Sequence, residues 1–70
     1  MKEMTATMAG MVLNIHVSEG DSVTQGQVLI ILESMKMEIP IESTYAGTID
    51  AILVGVGDFV NEGDVLVTIS

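Results

Sequence analysis

The chain repeats itself at a fixed interval. Adding 37 to a residue number lays the first half on the second: Thr7 falls on Thr44, Ala9 on Ala46, Gly10 on Gly47, Ile15 on Ile52 and Val17 on Val54. The agreement continues through Gly20 and Gly57, Asp21 and Asp58, Val23 and Val60, Gly26 and Gly63, Val28 and Val65, and Leu29 and Leu66. Glycines coincide at every turn of the two halves, where a positive φ is expected. The pattern predicts two similar halves related by a pseudo-twofold axis. Neither half is large enough to close its own core, so the two are expected to pack face to face as a sandwich or flattened barrel.

Each half reads as strands. Val and Ile supply much of the 49% apolar content, which favours extended structure. The predicted strands are Thr5 to Met8, Met11 to Val17, Val28 to Glu33, Met37 to Ile41, Thr48 to Val54 and Val65 to Ile69, with two-residue bridges at Ser22-Val23 and Phe59-Val60. Met1 to Glu3, with Lys2, read as a frayed end. Pro40 has no N–H to give to a ladder, so either its strand is an edge or Pro40 lies at the strand's end. The inward residues are expected to be Val12, Ile15 and Val17 in one half and Ile49, Ile52 and Val54 in the other. Their spacing departs from the period of two that a regular strand requires. One extra residue near Leu13-Asn14 and another near Asp50-Ala51, each a β-bulge, restores the parity. The fold class is therefore all-β. Seventy residues allow a single domain, 1–70, with a small core.

The charge balance narrows the partners. Ten acidic residues against two lysines give a net charge of -8, which repels nucleic acid and anionic lipid and either suits a basic protein surface or serves only to keep a small apolar-rich domain soluble. With no cysteine, a disulfide, a thiolate metal site and a thiol nucleophile are all excluded. No apolar run approaches the roughly 20 residues of a membrane span, and the N-terminus lacks a signal-peptide pattern. A soluble, cytoplasmic protein is expected.

At the junction of the halves stands Glu33-Ser34-Met35-Lys36-Met37-Glu38. Glu, Met and Lys favour helix, but the run is far shorter than the roughly 12 residues a marginal helix needs. Strand-like runs flank it, and Pro40 blocks a helix soon after it. A hairpin with its turn near Met35-Lys36 is predicted. A type I′ turn there forces positive φ on two bulky residues, at a cost of about 1 kcal/mol each; a slightly longer, unstrained loop is the alternative. A local rule broken at an exposed tip points to function. Taken alone, Lys36 is an ordinary surface lysine and the two methionines are core candidates; at a hairpin apex the methionines are expected to stay at least partly exposed. Glu33 and Glu38 form a possible carboxylate pair without supporting polar groups, so they read as solvated charges. His16, with Asn14, is placed on an outward face without metal-ligand companions. Asp21 and Asp58 are expected to bond nearby backbone.

The same segment resembles the Glu-Ala/Ser-Met-Lys-Met attachment motif of the biotinyl/lipoyl attachment domain family. Gly20-Asp21-x-Val23-x-x-Gly26-Gln27 is similar to the loop before the family's lysine strand, and Gly57-Asp58-x-Val60-x-x-Gly63-Asp64 to its counterpart. The likeness runs from about Thr5 to Ile69 and is greatest to short stand-alone biotin carboxyl carrier (biotin/lipoyl attachment) proteins. It departs at Ala9, where many members have Pro. The resemblance implies a flattened barrel of two four-stranded antiparallel sheets, a barrel-sandwich hybrid. It implies covalent biotin on Lys36 through an amide, with Glu33, Met35 and Met37 read by a biotin protein ligase. It also implies a monomeric carrier that is not itself an enzyme. Its partners would be the biotin carboxylase and carboxyltransferase subunits or domains of a biotin-dependent carboxylase, between whose active sites it carries carboxylate as a swinging arm. The alternative within carriers is a lipoyl or dual biotin/lipoyl domain, against which Met-Lys-Met argues. A small enzyme lacks a catalytic constellation in this sequence, and an unmodified acidic interaction module leaves the motif unexplained.

Overall fold

The computed structural model describes all 70 residues as eight strands without a helix. These are β1 Lys2–Thr5, β2 Gly10–Ile15, β3 Ser22–Val23, β4 Val28–Ser34, β5 Met37–Glu42, β6 Gly47–Ile52, β7 Phe59–Val60 and β8 Val65–Ile69. They form two four-stranded sheets, ordered β1-β8-β6-β3 and β5-β4-β2-β7. Every pairing is antiparallel. The offset of 37 carries β1 to β5, β2 to β6, β3 to β7 and β4 to β8, and so carries one sheet onto the other.

The halves do not each make a layer. Each sheet takes two strands from residues 2–34 and two from residues 37–69. In the first half β2 and β4 pair with each other, whereas β1 and β3 cross to the edges of the opposite sheet. The expected face-to-face packing of separate halves is thus replaced by an exchange of edge strands. The exchange lets a core of 14 buried apolar residues close when neither half could close one alone.

The core obeys the repeat nearly residue for residue. Leu29, Ile30 and Leu32 are fully buried, and so are their counterparts Leu66, Val67 and Ile69. Val12 pairs in this sense with Ile49, Val23 with Val60, and Met4 with Ile41. Ile15, Ile52 and Val54 pack against the cluster from its margin.

Both predicted bulges are present. From Val12 to Asn14 the partner advances only from Leu32 to Ile31, so Leu13 is the extra residue. From Ile49 to Ala51 it advances only from Ile69 to Thr68, so Asp50 is extra. A second pair lies at Leu29 and Leu66, each unpaired across from β5 and β1. That irregularity explains how two consecutive side chains, Leu29-Ile30 and again Leu66-Val67, both face inward.

Two further expectations fail. The first strand is Lys2–Thr5 and not Thr5 to Met8, and Lys2 is not frayed: it pairs with Ile69, and its Nζ lies 5.0 Å from the centroid of the Tyr45 ring. Only Met4 of the four residues faces inward, between Glu3 and Thr5, so the local sequence gives no alternation to read. Nor do all the matched glycines serve turns. Gly20, Gly26, Gly57 and Gly63 have φ of 93°, 89°, 95° and 90°. Gly10 and Gly47 instead sit where strands nearly touch. A Cβ on Gly10 would lie 2.7 Å from the Glu33 carbonyl oxygen, and one on Gly47 2.5 Å from that of Ser70.

Candidate functional site

Strands β4 and β5 are the neighbours that carry the central motif. Their register pairs Leu32 with Ile39, Glu33 with Glu38 and Ser34 with Met37, which leaves Met35 and Lys36 as a two-residue loop. Their φ angles are 53° and 64°. Positive φ at both central residues is the type I′ turn, whose twist matches the strands it joins. No other non-glycine residue in the chain has positive φ. The strain of about 1 kcal/mol at each residue is held by the ladder beneath it, which is anchored at Leu32. The close approach of β2 at Gly10 braces the same end of β4.

The structure brings the four sequence-selected residues together at this tip. Met35 is 89% exposed and Met37 56%. Lys36 and Glu33 are exposed as well. Glu33 faces Glu38 directly across the ladder, and like charges in that relation destabilise a hairpin. Pro40 lies on β5, which is an edge strand as expected.

The loop aspartates act locally. Asp21 Oδ2 accepts from the Ser18 N–H at 2.9 Å, and Asp58 Oδ2 from the Gly55 N–H at 2.8 Å. His16 and Asn14 are exposed, as their outward placement required. Sequence reasoning overlooked the outer face beside the hairpin. There Phe59 pairs with Met11, and Met11 with Glu33. The signal was available in the repeat, because the counterparts of Phe59 and Met11 are Ser22 and Thr48.

A family profile described as "Biotin-requiring enzyme" matches residues 2–69. The chain belongs to the biotin/lipoyl family, as a biotin carrier domain. Within that family it is 50% identical over 40 residues to a Mycobacterium leprae protein described as a biotinylated protein TB7.3 homolog, a match covering 57% of this chain and 56% of that one. It is 59% identical over 34 residues to a Bacillus subtilis biotin/lipoyl attachment protein, covering 49% and 47%. The matched segments thus span about half the length of these relatives. Among solved structures, Kluyveromyces lactis urea carboxylase superposes with a TM-score of 0.93 at 30% identity, over 99% of this chain and 6% of that one. A single-chain long-chain acyl-CoA carboxylase gives 0.88 at 32%, over 94% and 6%. The fold of two antiparallel four-stranded sheets is the fold of this biotin/lipoyl domain.

The residues present fit covalent biotin, the cofactor of this carrier family. An amide to biotin needs a primary amine that a second protein can reach. Both lysines are exposed, but only Lys36 stands at a turn apex; the Lys2 amine lies 5.0 Å from the Tyr45 ring centroid.

Proposed function

We propose that Lys36 is the point at which biotin is attached, and that the chain then serves as the mobile carrier of a cytoplasmic biotin-dependent carboxylase. The observation that carries this reading is the Met35-Lys36 turn, where the chain's only non-glycine positive φ angles present an exposed lysine. The names of the mycobacterial and Bacillus relatives support it, and so does the likeness to domains within two carboxylases. A lack of cysteine suits a reducing cytoplasm.

The chemistry assigns limited work to this chain. A free lysine amine is almost wholly protonated at neutral pH, and only the neutral amine is a nucleophile. A biotin protein ligase must therefore supply the base as well as an activated biotin carboxyl. The Lys36 Nζ attacks the acyl carbon, the amide bond forms, the activating group leaves with the bond's electrons, and the proton passes to the ligase. Met35, Met37 and Glu33 border the amine and are the side chains the ligase would read. When bound, biotin supplies a ureido nitrogen that takes up and releases a carboxyl group. The domain's own tasks are to keep the arm exposed and to hold its base rigid. Tethering to the carboxylase holds the arm at up to about millimolar effective concentration near each active site.

A second reading, lipoyl or dual attachment, is favoured by the description of the Bacillus relative. Expression with a biotin ligase and, separately, a lipoyl ligase, followed by intact mass, tests both. The expected result is one biotinyl increment on the wild type and none on Lys36→Arg. A lipoyl increment without biotin overturns the first reading, and biotin on both proteins refutes Lys36.

A further inference from the structure

The pseudo-twofold axis gives this molecule an internal control: the same backbone environment occurs twice with different side chains. On the sheet that carries the hairpin, cross-strand partners align Phe59 on β7, Met11 on β2, Glu33 on β4 and Glu38 on β5. Residues directly opposite in an antiparallel ladder point to the same side. The four therefore form one row on the outer face, three strand spacings or about 14 Å long. Phe59 is 69% exposed and Met11 39%. Val56, 66% exposed, extends the apolar end from the loop that leads into β7, where the Gly57 N–H donates to the Val12 carbonyl at 2.8 Å.

At the twin of the apolar end the side chains are polar, while Ser70 and Met1 stand where Glu33 and Glu38 stand. Ser22 and Thr48 stand where Phe59 and Met11 stand, paired in the same way, and Glu19 takes the place of Val56. Folding therefore does not require large apolar groups at these positions. An exposed apolar patch next to a functional tip, absent from the equivalent surface of the same molecule, marks a place where another protein sits.

We propose that this row docks the enzyme that acylates Lys36, through an apolar socket for Phe59 and Met11 flanked by basic side chains for Glu33 and Glu38. The proposal rests on Lys36 being the attachment site. Reach selects this occupant. An unmodified lysine enters an active site only if the enzyme closes over the hairpin tip, and the row begins one residue pair below that tip. An enzyme that works on the lengthened, biotinylated arm has no such need. Charge selects the rim. The chain carries -8, and a cation set between Glu33 and Glu38 relieves the repulsion of two like charges held opposite each other.

The test measures the rate of biotin transfer by a purified biotin protein ligase against concentration of the intact chain. The variants are Phe59→Ser and Met11→Thr, alone and together, each installing the residue the twin position already tolerates. Leu53→His is the control. It is 56% exposed, follows β6 in the other sheet, and receives its own counterpart residue, that of His16. The double variant is expected to raise KM for the carrier about tenfold, the loss of one interface anchor, with kcat within about twofold. Thermal unfolding should be nearly unchanged, and Leu53→His should behave as wild type. An unchanged KM in the double variant overturns the proposal, as does an equal rise in Leu53→His. Normal biotinylation of the double variant followed by a defect only in carboxylation also overturns it, by giving the row to the carboxylase. A wild-type chain that takes no biotin defeats the attachment reading itself, whereas biotinylation of wild type and double variant with equal KM defeats the docking proposal alone.

Discussion

The two ends of this molecule are built alike and used differently. At one, β4 and β5 meet in the strained Met35-Lys36 turn. At the other, β8 and β1 are paired in the equivalent way, with Lys2 opposite Ile69 as Ile39 is opposite Leu32, but no turn joins them: the chain ends lie there instead. The core beneath the two ends is nearly the same. What differs is the exposed chemistry. One end has a lysine in a left-handed turn above a row of Phe, Met and two Glu, and the other has Ser22, Thr48 and Ser70 with an exposed Met1. Duplicated architecture thus provides rigidity at both ends, while the chemistry sits in a few surface side chains that folding leaves free.

That comparison can be broken most directly in the core. Leu29→Ala and Leu66→Ala should each lower the stability by about 3 kcal/mol and agree with each other within about 1 kcal/mol. Urea unfolding with unchanged m-values reads this, and a large gap between the two would show that the sheets are not energetic twins. The next effect should be shared by the two ends. Gly10→Ala forces a Cβ against the Glu33 backbone and should destabilise by about 2 kcal/mol. Gly47→Ala meets the Ser70 backbone, together with Ile69 Cγ2 at 2.8 Å, and should cost about as much. A much smaller loss at Gly47 would mean that Ser70, although it exchanges backbone hydrogen bonds with Thr48, yields where Glu33 does not.

Smaller changes sharpen the account of the tip. Met35→Asn places a residue suited to positive φ in the turn and should stabilise by about 0.5 kcal/mol, raising Tm by roughly 3 °C. A fall in Tm would show that the Met35 side chain contributes more than its strain costs. Glu38→Gln removes one of two facing carboxylates and should stabilise by a few tenths of a kcal/mol at low salt, an effect that added salt should erase. Thermal melts at two ionic strengths check it.

Much of this was legible in the sequence because the repeat turns one reading into two. The parity error between Val12 and Ile15 recurs between Ile49 and Ile52, and a bulge is what both require. The turn at Met35-Lys36 followed from strands on either side and a helix too short to form. The exchange of edge strands was not legible, because period-two patterning tells which face is buried and nothing about which strand lies alongside. β1 was missed because a strand with one inward residue has no pattern, although shifting β5 back by 37 would have found it. The row at Phe59 escaped because exposed apolar residues are common singly; only the contrast with Ser22 and Thr48 gives it meaning.

The pairing of Lys2 with Ile69 has a consequence for how such a domain can be carried. Its two ends emerge side by side, separated by one strand spacing of about 5 Å, like the open neck of a hairpin. A host chain could run into this fold and out again with almost no detour, leaving its own path undisturbed. A unit with that geometry can be spliced into a loop, appended to a subunit or released as a separate chain without redesigning its interior.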